Sequence, residues 1–198
     1  MNDIATAGNA VHGRRRIWVP LAVVGLLLMM TAVEAVFARS QPAGEQLVSG
    51  TVIEFGSDRQ ASVQVGDGWV LDIGASDLNS QLVLVRGDMT VELSSEAFPG
   101  NTSPAAMWAG MDRLLNIARH SGVEVWLDSP TEGGTSSGSG ELEGSLQIGN
   151  RAGKAFVIPD ADGAQAVEAK VLAPLHAGDE DWSAAAQLID SIAFEGES

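Results

Sequence analysis

Chemistry in this chain would have to come from hydroxyls, carboxylates or imidazoles, since its 198 residues include no cysteine and three histidines. Thiolate catalysis, cysteine-ligated metals and disulfides are excluded together. Gly134-Thr135-Ser136-Ser137-Gly138 matches the G-x-S-x-G spacing of hydrolase nucleophiles. That spacing works only on a strained strand-to-helix turn, which lifts the hydroxyl above a sheet. Here it lies inside a Gly/Ser run between strand patterns, and the candidate bases His120 and His176 carry no triad signature. Gly149-Asn150-Arg151-Ala152-Gly153-Lys154 approaches a phosphate loop, but its second glycine comes one residue early and Ala155 replaces the magnesium-binding hydroxyl. Asp160-Ala161-Asp162-Gly163 begins like a calcium loop. With Gly163 at its sixth position, the bidentate glutamate would fall on Ala169, and Glu168 is out of register, so the segment reads as a turn. His176 with Asp179 and Asp181 offers imidazole and carboxylate ligands, yet without a second histidine it reads as a solvated loop and a helix start. Asn101-Thr102-Ser103 fits a glycosylation acceptor, although Ser103 is better explained as a helix cap. No catalytic, cofactor-binding or metal residue is assigned, and no cofactor is expected.

The elements that would position such groups are short strands and two helices. Apolar alternation bounded by Gly, Asp and Asn predicts a first hairpin, Thr51 to Phe55 with Ala61 to Val65, then a strand over Trp69 to Asp72. A second hairpin joins Gln81 to Val85 and Met89 to Ser94 through Arg86-Gly87-Asp88. In its second arm Met89, Val91 and Leu93 share one face and Thr90, Glu92 and Ser94 the other, so one side of the sheet is wet there. The first arm is apolar on both faces, which places it centrally. Ser103-Pro104 caps a helix with the stripe Met107, Met111, Leu114, Leu115 and Ala118, ending near His120 before Gly122. The methionines read as core filling. A strand over Val123 to Leu127, a loop from Ser129 to Gly140, and a meander of Leu142 to Ile148, Lys154 to Ile158 and Gln165 to Ala173 follow. In the last of these Val167, Ala169, Val171 and Ala173 share one face. Asp179-Glu180-Asp181 places negative charge at the start of a closing helix, whose stripe Trp182, Ala185, Ala186, Ile189 and Ile192 runs down to Phe194. This order is α+β: an antiparallel sheet with two main helices packed on it, in two layers, or three if the helices take opposite faces.

Ahead of that domain, Ile17 to Val33 holds no charge, and its 17 positions reach about 26 Å as a helix. Continuing past Glu34 to Ala38 gives 22 positions, against the ~20 that cross a hydrocarbon core. The run has no polar face, so lipid is its better solvent. Arg14, Arg15 and Arg16 precede it and only Arg39 follows closely, which holds the N-terminus in the cytoplasm. The expected organisation is a cytosolic tail over 1–16, one transmembrane helix over 17–38, a linker over 39–47 and an extracytoplasmic domain over 48–198. Cleavage of a signal peptide near Ala38 and secretion is the competing outcome. From Arg39 onward 8 Lys and Arg stand against 24 Asp and Glu, which excludes nucleic acid as a partner. The acidity reads as solubility and repulsion from anionic surfaces.

Gly68-Trp69 entering strands, the Leu82 to Leu93 hairpin, a helix, a meander and the ending Ala184-Ala185-Ala186-Gln187-Leu188-Ile189-Asp190-Ser191-Ile192-Ala193-Phe194 together resemble PsbP-like domains, roughly from Gly50 to Glu195. The resemblance implies an α/β/α sandwich and a non-enzymatic adaptor or assembly role, and it carries over no functional residue. The expected function is therefore a membrane-anchored accessory or binding domain, with lipid contacted through residues 17–38 and another envelope protein as partner. A hydrolase or other envelope enzyme is the alternative.

Overall fold

The computed structural model describes residues 44–97, 103–133 and 140–195. The tail 1–16, the apolar run 17–38, Asn101-Thr102 and the Gly134 to Gly138 motif lie outside the described residues. Among the described residues no helix is long and apolar enough to cross a membrane.

Strand β1 (Glu45–Gln46) opens the first compact element and pairs with β4 (Val70–Leu71). Glu45–Gln46 join the sheet and Leu47 packs on the core. The first hairpin forms as expected from β2 (Val52–Phe55) and β3 (Ala61–Gln64). The second pairs β5 (Gln81–Arg86) with β6 (Met89–Ala97), and β6 buries Met89, Val91 and Leu93 while Thr90, Glu92 and Ser94 stay half-buried. Helix α1 (Pro104–His120) follows, with the Ser103 hydroxyl accepting from the Ala106 amide at 3.3 Å. It stops where expected: Gly122 adopts φ +89, a conformation that L side chains disfavour. Beyond it come β7 (Val125–Leu127), β8 (Thr131–Glu132), β9 (Leu142–Ile148), β10 (Arg151–Pro159) and β11 (Gln165–Pro174), then helix α2 (Asp179–Asp190) and β12 (Ala193–Phe194).

The large sheet runs β1-β4-β5-β6-β11-β10-β9-β7, with β8 also on β9, and β12-β3-β2 make a second sheet; every one of these pairings is antiparallel. Central position belongs to β11, held between β6 and β10 and buried over most of its length. The arm expected to lie inside the sheet, β5, does so, paired with β4 on one side and β6 on the other, with β1 beyond β4. At the start of the segment expected as a loop, Thr131 and Glu132 pair with Glu143 and Leu142.

Alternation along the central strands sends side chains to two separate cores. On one face Leu82, Leu84, Val91, Leu93, Val167, Ala169 and Val171 pack with Ala185, Leu188 and Ile189 of α2 and with Phe55 and Val63 of the small sheet. On the other, Ala155, Val157, Ala166 and Leu172 pack with Met107, Trp108, Met111 and Leu115 of α1. The helices take opposite faces, so the domain has three layers. Both methionines fill core, as expected, but Leu114 is 60% exposed and Trp108 takes the buried place, because packing selects the 107, 108, 111, 115 stripe. In α2 Leu188 is buried in place of Ala186. The closing helix ends at Asp190 rather than running to Phe194, since Ala193 and Phe194 pair with Ser62 and Ala61.

Candidate functional site

Pleating of β6 and β11 builds a polar strip on the α1 face of the sheet. Residues of β6 that escape the α2-side core, Thr90, Glu92, Ser94 and Glu96, lie in register with Leu172, Lys170, Glu168 and Ala166 of β11. Helix α1 packs toward β7, β9 and β10 and leaves this strip open along its flank. The result is a cleft of about 380 Å³ between the strip and the helix, lined by Glu96, Glu168 and Lys170 on the sheet side and Met111, Leu114 and Leu115 on the helix side.

Glu168 is the unusual member. It sits on the central strand opposite Ser94, is 7% exposed, and its carboxylate accepts no hydrogen bond from any described residue. Burial pushes this carboxyl up from its ordinary 4.5 to about 7; the diagonal neighbour Glu96 adds to the rise, and Lys170 opposes it. Lys170 does not neutralise Glu168 outright because its ammonium is held by Glu92 at 3.1 Å. Glu96 is exposed at the rim. The cleft therefore presents two carboxyls, one at the surface and one at depth, beside an apolar wall. It can take up a proton near neutral pH or receive a positive charge. A buried carboxylate with no partner is costly, and an apolar side chain at 168 would cost nothing of the kind.

Two further concavities have different characters. On the other face a groove of about 530 Å³ lies among Phe156, Val171, Trp182 and Ile189, with the Lys154–Glu143 ion pair at 3.1 Å on its border. Near the start of α2, Arg86 links Asp181 at 3.2 Å, Glu180 at 3.4 Å and the Asp67 carbonyl, so it clamps the helix to the sheet. Asp181 is thereby a fold contact, and His176 stands exposed in the loop before it.

The remaining sequence candidates do not converge. His120 Nδ1 meets the Asn116 carbonyl at 2.7 Å at the exposed end of α1. Asp160 Oδ1 accepts from the Ala164 and Gln165 amides at 2.9 and 3.2 Å, which makes its segment the turn expected. Gly149 and Asn150 form the β9–β10 turn, and Ser103 is a cap. Among the described residues no three His, Cys, Asp or Glu side chains cluster to hold a metal ion. In the sequence alone Glu168 stands out only as an acid out of register with a calcium loop. The available signal was its position on the even face of a strand whose other positions are nearly all apolar.

No family model matches the sequence. No curated protein sequence matches it either. Among solved structures the chain is similar to cyanobacterial PsbP (CyanoP) from Synechocystis sp. PCC 6803, with a TM-score of 0.51 and 11% identity over 75% of this chain and 95% of that one. Mog1p, a Ran-binding protein of Saccharomyces cerevisiae, gives a TM-score of 0.45 and 12% identity over 73% of this chain and 94% of that one. The fold is PsbP-like, as the sequence resemblance implied, and at such identity the similarity shows the fold alone.

Proposed function

We propose that this chain is a single-pass membrane protein whose helix over 17–38 contacts lipid and holds an accessory domain outside the cell membrane, where it binds another envelope protein. The arginines before Ile17 and the length of the uncharged run support the anchoring and its orientation. The observation that carries the binding reading is the Glu168 cleft beside an exposed apolar flank of α1. Leu114 on its wall is 60% exposed, and Ile117, three residues on and therefore on the same side of the helix, is 64% exposed. Apolar contact next to a charged depression is the composition of a recognition surface.

A photo-cross-linking amino acid placed at Leu114 or Ile117 of the full chain, in its native membrane, tests this reading. The expected product is one discrete adduct with an envelope protein from both sites, and none from Leu175, an 87% exposed position after β11. Equal, diffuse labelling from all three positions refutes the surface. Protease added outside intact cells tests the orientation, since it should remove the domain and leave a membrane-bound stub; a protected C-terminus, or full-length product in the medium, refutes it.

A further inference from the structure

We propose that the cleft between α1 and strands β5, β6 and β11 is a site for an aliphatic cation, an ammonium or guanidinium on an alkyl stem. Its charge would sit against Glu168 and Glu96, and its stem would lie on Met111, Leu114 and Leu115. This deepens the binding reading above and rests on it only for the source of the cation, a Lys or Arg side chain of the partner.

Three observations carry the assignment. First, the charges in the cleft do not cancel from within: Lys170 is its one lining cation among the described residues, and with its ammonium held by Glu92 at 3.1 Å it offsets Glu168 and Glu96 only in part. Secondly, Glu168 is 7% exposed and makes no hydrogen bond with a described residue, yet it lines the cleft. A buried acceptor of this kind attracts a donor that arrives with its own charge, because a charge-assisted bond offsets the desolvation that a neutral donor leaves unmet. Thirdly, the opposite wall is aliphatic and thioether. Long cationic side chains bury their methylene stems on such a wall while the head reaches polar atoms. The whole cleft measures about 380 Å³, at the small end of ligand pockets, so it suits one side chain rather than a folded element.

The groups facing Glu168 also set how binding responds to pH. From β6 this is Glu96, with Glu92 one register step away opposite Lys170; from β11 it is Lys170, from β5 the neutral Gln81, and α1 lines the cleft with Met111, Leu114 and Leu115 and no charge. A cation needs the ionised carboxylate. With Glu168 titrating at about 7, the ionised fraction rises roughly tenfold between pH 6 and pH 8, and the apparent affinity rises with it.

The test uses the full chain in detergent micelles with labelled methionine and leucine methyl groups. The probe is n-butylguanidinium, which stays charged throughout this pH range, and the control is n-butylurea, its neutral isostere. The cation should give saturable methyl shifts at Met111, Leu114 and Leu115, tightening about tenfold from pH 6 to pH 8. Glu168→Gln should abolish the saturable shifts, and Glu96→Gln, at the exposed rim, should weaken binding several-fold without touching the core. Equal shifts from n-butylurea, or unchanged binding in Glu168→Gln with native methyl spectra, overturn the proposal. The peptide acetyl-Ala-Arg-Ala-amide and the free diamine 1,4-diaminobutane separate the sources: stronger peptide binding supports a protein side chain, and stronger diamine binding overturns it in favour of a soluble amine. Failure of the butylguanidinium probe alongside a discrete Leu114 adduct overturns the cation site and leaves the docking surface standing.

Discussion

Glu168→Gln should stabilise the domain at pH 8 relative to its effect at pH 5. In the folded chain burial, assisted by Glu96, holds the Glu168 carboxyl at about 7, whereas the unfolded chain returns it to its ordinary 4.5. Below about pH 4.5 both states keep the proton and the group exacts no penalty. As pH rises toward 7 the unfolded state releases its proton while the folded state retains one, so the unfolded state binds fewer protons and stability falls with pH. Above about 7 both are ionised and the loss levels off. The gap between 4.5 and about 7 corresponds to about 3 kcal/mol, at roughly 1.36 kcal/mol per pH unit. Glutamine keeps the side-chain shape and removes the titration, and any cost of its unpaired amide is the same at both pH values. The difference between variant and wild type should therefore shift by about 2 to 3 kcal/mol in favour of the variant from pH 5 to pH 8. Urea unfolding of the Gly44–Ser198 unit, which carries both cores, measures it at the two pH values. A variant-minus-wild-type difference that is the same at pH 5 and pH 8 within about 0.5 kcal/mol would show that Glu168 is not held protonated by its surroundings, and would refute the reasoning.

The C-terminal helix should prove to be part of the core: Ile189→Ala, at a side chain 1% exposed against α2's face of the sheet, should cost about 2 to 5 kcal/mol in a urea melt. Gln187→Ala, on the exposed side of the same helix, should cost less than about 0.5 kcal/mol. At Gly153→Ala an added Cβ would collide with the Val171 carbonyl oxygen, so β10 and β11 must separate there. A loss of at least about 2 kcal/mol is expected in the same assay, and a neutral result would mean that the ladder shifts freely at this point.

Which elements form was legible in local patterns. A helix that begins at Ser103-Pro104 and stops at Gly122 is specified by a cap, a fixed φ and a left-handed stop within one contiguous segment. Both hairpins were readable for the same reason, since their partners stand a few residues apart and the turn sets the register. Periodicity alone does not settle the helix faces: Leu114 and Ala186 fit the apolar stripe, but Trp108 and Leu188 are larger and take the buried positions. Ala193 and Phe194 extend the stripe of α2 on paper. Pairing with β3 claims them as a strand because the small sheet offers backbone partners that a frayed helix end lacks.

The candidate site depends on contacts between segments distant in sequence. Glu168 acquires its character because β11 inserts between β6 and β10, which brings Glu168 opposite Ser94 and diagonal to Glu96. The amino-acid order determined that Glu168 alternates against Val167 and Ala169, and so that it would face away from whatever those residues packed on. It could not determine that the far side of the strand would be roofed by α1 on one flank and left open on the other. That choice belongs to tertiary packing, since it depends on Met107, Trp108, Met111 and Leu115 finding Ala155, Val157 and Leu172 across the sheet. Side-chain direction follows from backbone alternation a residue at a time, whereas the solvation of a carboxyl follows from every chain segment that comes near it.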